Sequence, residues 1–196
     1  MKSIDTEKIE QCIHDLLLAL GDDPSREGLL ETPKRVAQMY AEVFEGMTYT
    51  NAEIAEKFGT VFEQEDYIKA NDKNLIVVKD IPIFSYCEHH LALMYNMRVS
   101  VVYRPVDKII GLSKISRIAD MVSRRLQLQE RIAHDIAEVM AMVTGTQDIG
   151  VWIQGEHSCM SARGIKKVSA PTVTTYFDGI FKTDDALRQE ALLLMR

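Results

Sequence analysis

Two short clusters of cysteine and histidine residues, 72 positions apart, constrain the fold of this chain more than any other feature of its sequence. The first cluster is Cys87-Glu88-His89-His90 and the second is His157-Ser158-Cys159. A cysteine and a histidine three positions apart on a tight turn can direct a thiolate and an imidazole at one point, as a metal site requires. A third ligand is needed, and Cys159 can supply it if strands at both places bring the two segments together.

Hydrophobic periodicity predicts an α+β fold with a largely antiparallel sheet. Apolar side chains at helical spacing predict helices at 5–20 and from Thr32 to about Gly46, a helix pair between about 113 and 143, and a last helix from about Asp184. Runs rich in β-branched residues predict strands at 75–78, 97–103, 149–153 and 172–177. A doubly wound α/β sheet would need a stricter alternation of strands and helices.

The length of the chain limits its domain organisation. With 196 residues it can bury one sizeable core and carry an appended helical arm. We expect a helical arm and linker at 1–72 and the main domain at 73–196, acting as one functional unit. Cys12 lies on the apolar side of the first helix, so we expect it to be buried as a small hydrophobe.

Cysteine usage and hydropathy predict the compartment. Three cysteines are too few, and odd in number, for a secreted disulfide framework. Since no stretch reaches the roughly 18 uninterrupted apolar residues of a membrane span, we expect a soluble cytoplasmic protein without a membrane partner. A net charge of -6 also argues against a nucleic-acid partner, whose binding protein would carry a positive field.

One segment of this acidic chain carries a net positive charge. Between Arg98 and Arg131 eight lysines and arginines stand against three acidic residues, a local balance of +5. Such a cluster can be a solvated helix surface, and the alternative is a pocket for a polyanion. Ser113, Lys114, Arg117 and Arg163 are suitable donors to a triphosphate, and a helix that begins near Ser113 adds backbone N–H groups.

The ligand set favours a catalytic metal ion. Three protein ligands plus a water are typical of catalytic zinc, whereas a structural site is closed by a fourth Cys or His. To be that fourth ligand, Cys12 would have to leave the apolar side of its helix. His89 and His157 adjoin presumed ligands, so each can act as a general acid or base. Alternatively, each can hydrogen-bond to a metal ligand and orient it. His14 and His134 are predicted to be ordinary surface residues.

Glu130 is a candidate for base recognition. It follows Gln129 at the predicted start of a helix, where a carboxylate can simply interact favourably with the helix dipole. A carboxylate also offers two acceptors that match the N1–H and 2-amino donors of guanine. Adenine would leave Glu130 unpaired, and a contact of this kind can discriminate between bases by about 10⁴.

Five motifs in register resemble the GTP cyclohydrolase I family from about 26 to 181. They are Thr32-Pro33-Lys34-Arg35-Val36-Ala37, Cys87-Glu88-His89-His90, Gly111-Leu112-Ser113-Lys114, Arg124-Arg125-Leu126-Gln127-Leu128-Gln129-Glu130-Arg131 and His157-Ser158-Cys159-Met160-Ser161-Ala162-Arg163-Gly164. The resemblance implies one zinc ion per subunit on Cys87, His90 and Cys159, and proton transfer by His89 and His157. It adds Arg35 and Gln129 to the substrate-binding residues.

The resemblance also implies a reaction and an assembly. Water attacks C8 of GTP, formate is released, and the product is 7,8-dihydroneopterin triphosphate, an entry to folate and other pterins. The implied fold is the tunnelling fold, assembled as a homodecamer of two stacked pentamers with shared active sites. Gln38, Asn96, Arg104 and the segment Ala92-Leu93-Met94 depart from the common pattern. With the predicted loop at 91–98, we expect these departures to alter rate and affinity rather than reaction type.

Two other functions are compatible with parts of the sequence. A zinc nucleobase deaminase also attacks a base with a Cys/His-bound zinc, but it needs H-x-E and P-C-x-x-C motifs, which this chain lacks. An inactive relative that binds a guanine or pterin ligand would be a regulatory or structural ring. The presence of both predicted catalytic histidines, all three predicted ligands and Glu130 argues against that alternative.

Overall fold

The first of two units in the chain, which ends at Tyr49, is helical. The computed structural model describes residues 3–63, 74–168 and 170–196, and the second unit comprises 50–196. Helices α1 (Thr6–Ala19) and α2 (Thr32–Val43) pack on each other, and a 3₁₀ turn follows at Glu45–Thr48. Asp5 caps α1 by accepting a hydrogen bond from the Lys8 N–H (2.9 Å).

The prediction that Cys12 is buried is wrong. Cys12 is exposed, and α1 contains no buried residue; Leu16 is 50% and Leu20 72% exposed. Ile13 and Leu17, four positions apart, are half-buried, as expected where a single neighbouring helix covers a narrow strip. Periodicity identifies the apolar side of a helix, but tertiary packing decides how much of that side is covered.

The second unit is organised around a five-stranded sheet in the order β5-β2-β3-β6-β7. Its elements are α3 (Asn51–Phe58), β1 (Val61–Glu63), β2 (Ile76–Cys87), β3 (Ala92–Tyr103), β4 (Lys108–Ile110), α4 (Leu112–Ser123), β5 (Leu126–Gln127), α5 (Gln129–Thr144), β6 (Ile149–His157), α6 (Ser158–Ser161), β7 (Thr172–Phe177) and α7 (Asp185–Met195). Neighbouring strands are antiparallel except β5, which is parallel to β2. The predicted α+β class with an N-terminal helical arm is confirmed.

Helices cover both faces of this sheet. On one face Val102 and Trp152 pack with Phe181 and with Leu187, Ala191 and Met195, the last three on α7. The helix pair α4–α5 packs on the other face. The approach of α5 to the sheet is close, because a Cβ added to Gly155 of β6 would lie 3.3 Å from Oε1 of Gln129 on α5. Among the described helices, none combines the length and the hydrophobicity that a bilayer crossing requires.

The predicted linker at 48–74 contains regular structure. Helix α3 begins with a capping box in which the Thr50 side chain accepts from the Glu53 N–H and Glu53 accepts from the Thr50 N–H. Ile54 is fully buried, and α3 contacts α4 and α5. Strand β1 then pairs with β4. Two helical turns in a polar segment offer too few apolar positions for a periodicity signal. The boundary at 72/73 and all but the last residue of the predicted turn at 71–74 fall on 64–73, which lies outside the described residues.

The segment 91–98, predicted to be a loop, is mostly strand. After a tight turn at 88–91, β3 starts at Ala92 and continues through a register irregularity between Tyr95 and Arg98. Asn96, at this irregularity, has φ 49°, a left-handed conformation that suits glycine and that asparagine also tolerates. Asn96 donates a hydrogen bond to Glu156 Oε1 (2.9 Å), so the departure from the family's glycine is accommodated locally.

Arg104, another departure from the family pattern, has a buried partner. Its Nε donates to Asp148 Oδ2 (2.7 Å), and both side chains are less than one-fifth exposed. Asp148 also accepts from the Ile180 N–H (2.7 Å). This ion pair joins the end of β3 to the start of β6, at the end of the sheet opposite to Cys87 and His157.

Candidate metal centre

The two Cys/His clusters meet at one end of the sheet, where the inner strands β2 and β6 finish. Cys87 is the last residue of β2 and pairs with Ala92 at the start of β3, while His157 is the last residue of β6 and pairs with Met94. Antiparallel pairing on both sides of β3 therefore brings these strand ends together. Helix α6, which follows β6 directly, carries Cys159.

The three predicted ligands form a compact group. One ligand atom from each of Cys87, His90 and Cys159 lies within 4.8 Å of the other two, and the Cys87 Sγ to His90 Nδ1 distance is 4.0 Å. Tetrahedral zinc with ordinary bond lengths requires ligand atoms about 3.6–3.8 Å apart, so small side-chain adjustments would suffice. Cys87 is buried, Cys159 half-buried and His90 exposed, which leaves the solvent side open for a fourth ligand.

The electrostatics of the cysteines also suit a cation. Burial raises the pKa of the Cys159 thiol, the adjacent Cys87 raises it further, and the charge of Arg163 lowers it to a smaller extent. A divalent cation between the two sulfurs would stabilise both thiolates, because metal binding displaces the protons. Two sulfurs and one imidazole nitrogen are a donor set suited to zinc.

A second group of metal-binding side chains is already occupied by protein partners. His134, Asp135 and Glu138 lie along α5 with ligand atoms within 4.8 Å of one another. Asp135 forms an ion pair with Arg125 (3.1 Å), and Glu138 accepts a hydrogen bond from Asn51 (2.6 Å). Since both carboxylates are paired within the protein, we do not assign a metal to this group. His14 and His134 are exposed, as predicted.

His157 is held in a defined tautomer by Gln129. The Gln129 amide nitrogen donates to the carbonyl oxygens of Ile153 (3.2 Å) and Thr172 (3.0 Å), so its Oε1 must face His157 Nε2 at 2.9 Å. Because that oxygen can only accept, Nε2 of His157 carries the proton and Nδ1 has a free lone pair. Burial lowers the pKa of His157, an effect that the charge of Glu130 opposes.

The contact between His157 and Gln129 was not predicted from the sequence. Gln129 is 1% exposed, and both polar atoms of its amide have protein partners; its role in substrate binding stays a prediction. The one available signal was Gly155, two positions after the predicted strand 149–153, since a glycine within a strand often marks a close approach by a neighbour. A Cβ there would lie 2.8 Å from Met97 and 3.3 Å from Gln129.

Glu88 and Glu130 have different roles at the start of α5. Arg131 donates to both carboxylate oxygens of Glu88, one of them at 3.2 Å, which joins the 88–91 turn to α5 and lowers the pKa of Glu88. Glu130 is exposed, and its side chain forms no hydrogen bond or ion pair within the described residues. Its acceptors are therefore available to a ligand next to His157. His89 is exposed, with its ring 6.3 Å from the His90 ring.

The predicted phosphate donors on α4 lie apart from the ligand group, whereas Arg163 lies near Cys159. Five of the eight basic residues in the segment 98–131 form internal ion pairs: Arg98, Arg104, Arg124, Arg125 and Arg131. Among described residues, Lys114 and Arg117 have no such partner, and Arg117 is exposed beside 78–82 of β2. Ser113, on the same helix, is also exposed. Arg163 follows α6 and is exposed, and Arg35 is exposed on α2 in the first unit.

Comparison with known proteins covers nearly the whole chain. The profile of a family described as GTP cyclohydrolase I matches residues 9–196. A GTP cyclohydrolase 1 from Clostridium beijerinckii is 69% identical over 195 residues, covering 100% of this chain and 99% of the relative. GTP cyclohydrolase 1 proteins from Clostridium acetobutylicum and Ruminiclostridium cellulolyticum are 60% and 57% identical over 194 residues, 99% of this chain, and 99% and 100% of the relatives.

Proposed function

The chain belongs to the GTP cyclohydrolase I family, and on that premise we propose that it is a zinc-dependent hydrolase converting GTP and water to formate and 7,8-dihydroneopterin triphosphate. The observation that carries the proposal is the convergence of Cys87, His90 and Cys159 beside a half-buried histidine and an unpaired carboxylate. The reaction breaks the imidazole ring of guanine, and C8 leaves as formate. One zinc ion per subunit, on those three residues, supplies a water that is acidic enough to react near neutral pH.

The protein side chains have distinct tasks in this proposal. His157 Nδ1 accepts or returns a proton at the guanine ring, and Gln129 keeps that nitrogen free by holding the opposite one. His89, on the exposed turn, is the second group proposed for proton transfer. The Glu130 carboxylate accepts from N1–H and the 2-amino group of the base.

The position of the phosphate donors supports a shared active site. Arg117 lies beside residues 78–82, five to nine positions before Cys87 on β2, or roughly 17–30 Å along an extended strand. One triphosphate would have difficulty contacting the zinc ligands and these donors in the same chain. We therefore infer that Ser113, Lys114 and Arg117 serve the active site of a neighbouring copy, within a decamer of two pentamers.

The remaining donors and the location of the enzyme complete the proposal. Arg163 would reach the triphosphate from beside Cys159, and Arg35 and Gln129 are further proposed substrate contacts. The arm expected at 1–72 is shorter in the structure, because the second unit begins at residue 50. We propose that the first unit is the arm of the catalytic domain formed by the second, and that the reaction takes place in the cytoplasm.

The function can be tested by incubating zinc-loaded protein with GTP and following formate together with the oxidised, fluorescent pterin. We expect both products, abolished by a zinc chelator and restored by added zinc. Formate without pterin would mean that hydrolysis occurs without closure of the new ring. If zinc-loaded protein releases neither product but still binds GTP, the binding-only alternative replaces this proposal.

Replacement of Glu130 by glutamine tests base recognition. The amide presents a donor in place of one of the two carboxylate acceptors, so one hydrogen bond to the base is lost and the other is no longer charge-assisted. We expect kcat/KM for GTP to fall by about 10²-fold. Metal content should not change. Glu190→Gln, an exposed change on α7, is the matched control and should leave kcat/KM unaltered. An unchanged kcat/KM in the Glu130 variant would remove this residue from the site.

A further inference from the structure

A buried carboxylate behind the metal-binding turn has no role in the proposed reaction. Asp135, on α5, is 9% exposed. Its Oδ2 accepts hydrogen bonds from Arg125 Nη1 (3.1 Å) and from Gln127 Nε2 (3.0 Å). Burying a carboxylate is costly unless it is paired and hydrogen-bonded, and here both partners lie on or next to the two-residue strand β5. Asp135 therefore ties β5 to α5.

Strand β5 is in turn the support of the metal-binding turn. Gln127 pairs with Cys87 in the parallel β2–β5 ladder, and its carbonyl oxygen accepts from the Glu88 N–H (3.1 Å). One residue before β5, the Arg125 carbonyl oxygen accepts from Ser85 Oγ (3.3 Å). A strand of two residues has few ladder hydrogen bonds of its own, so its position depends on these side-chain contacts.

The amide of Gln127 shows how strongly Asp135 determines this arrangement. Gln127 is 2% exposed, and its Oε1 is a buried polar atom without a hydrogen-bond partner among the described residues. The amide therefore makes its one side-chain hydrogen bond through nitrogen, to Asp135. Loss of Asp135 would leave a buried amide with neither polar atom paired, and such an amide would be expected to move.

We propose that Asp135 is a positioning residue for the metal centre: through Gln127 it fixes β5, and β5 fixes Cys87 and the turn that carries His90. The inference rests on the proposed function only in taking zinc as the ion held by Cys87, His90 and Cys159. Residues behind a metal site that orient its ligands typically alter metal affinity by 10–100-fold when replaced.

The test compares zinc affinity in Asp135→Ala, Gln127→Met and the double variant, by competition with a chromophoric chelator. Alanine is used at 135 because asparagine would keep an oxygen that can accept from Gln127. Asp148→Ala is the matched control, because Asp148 is also 9% exposed, is also paired with an arginine, and lies at the other end of the sheet. We expect each single variant at 135 or 127 to bind zinc 10–100-fold more weakly, and the double variant to show less than the product of the two effects, because both changes remove one hydrogen bond.

A general loss of folding stability must be distinguished from a specific loss of zinc affinity. Thermal unfolding of the zinc-free proteins, followed by circular dichroism, measures that loss separately. If Asp148→Ala lowers the midpoint as much as Asp135→Ala but keeps wild-type zinc affinity, the positioning role is supported. Equal zinc affinity in wild type, Asp135→Ala and Gln127→Met would overturn it. Failure of the wild-type protein to bind zinc would instead count against the proposed function.

Discussion

Replacing Cys159 with alanine is expected to remove the bound metal and the activity together. The remaining ligands, Cys87 and His90, come from a single turn, and two protein ligands do not form the three-ligand site of a catalytic zinc. Zinc content should fall from about one ion per chain to near zero after gel filtration, and formate release from GTP should fall by at least about 10³-fold. Metal analysis and the formate assay on the same sample measure both.

The matched control is Cys12→Ala. Cys12 is the exposed cysteine on α1, so its removal should change neither the zinc content nor the rate. The thermal midpoint of Cys159→Ala, compared with chelator-treated wild type, separates loss of metal from loss of folding. If Cys159→Ala remains zinc-loaded and active, the ligand set Cys87, His90 and Cys159 is wrong.

The elements of the sheet could be predicted because its strands carry β-branched runs and the helix pair carries clear helical periodicity. The convergence of Cys87 with Cys159 was stated only as a condition, because the predicted strands 75–78 and 149–153 end before the two motifs. In the structure β2 continues to Cys87 and β6 to His157. Strand β5 was not predicted, because two residues are too few for any periodic signal. The start of β3 was also missed, since Asn96 interrupts the strand pattern and its φ of 49° is known only from the fold.

Contacts between distant side chains were the least predictable part of the site. Gln129 and His157 are 28 positions apart on a helix and a strand, and nothing in their spacing indicates a hydrogen bond. The same is true of Arg131 and Glu88. Once the fold is known, the first turn of α5 has a simple organisation: Gln129 holds His157, Arg131 holds the metal-binding turn, and Glu130 between them is left for the base.

This organisation predicts that His157 can be changed without loss of the metal. His157→Ala should keep about one zinc ion per chain, because His157 is not among the three ligands, while kcat for formate release falls by about 10³-fold. His157→Gln separates proton transfer from packing, because a glutamine amide nitrogen reaches the position of the histidine Nε2. Its amide can still donate to Gln129 Oε1, but it offers no basic nitrogen in place of Nδ1, so its kcat should be as low as that of the alanine variant.

The two His157 variants and a surface control distinguish the possible roles of this side chain. His134→Ala removes an exposed histidine from α5 and should leave kcat within about twofold of wild type, as is usual for surface changes. If His157→Gln retains most of the activity while His157→Ala does not, His157 acts by packing against Gln129 rather than by proton transfer. Loss of zinc from both His157 variants would instead make His157 a ligand. Only low kcat in both variants at full zinc content agrees with a proton transferred at Nδ1.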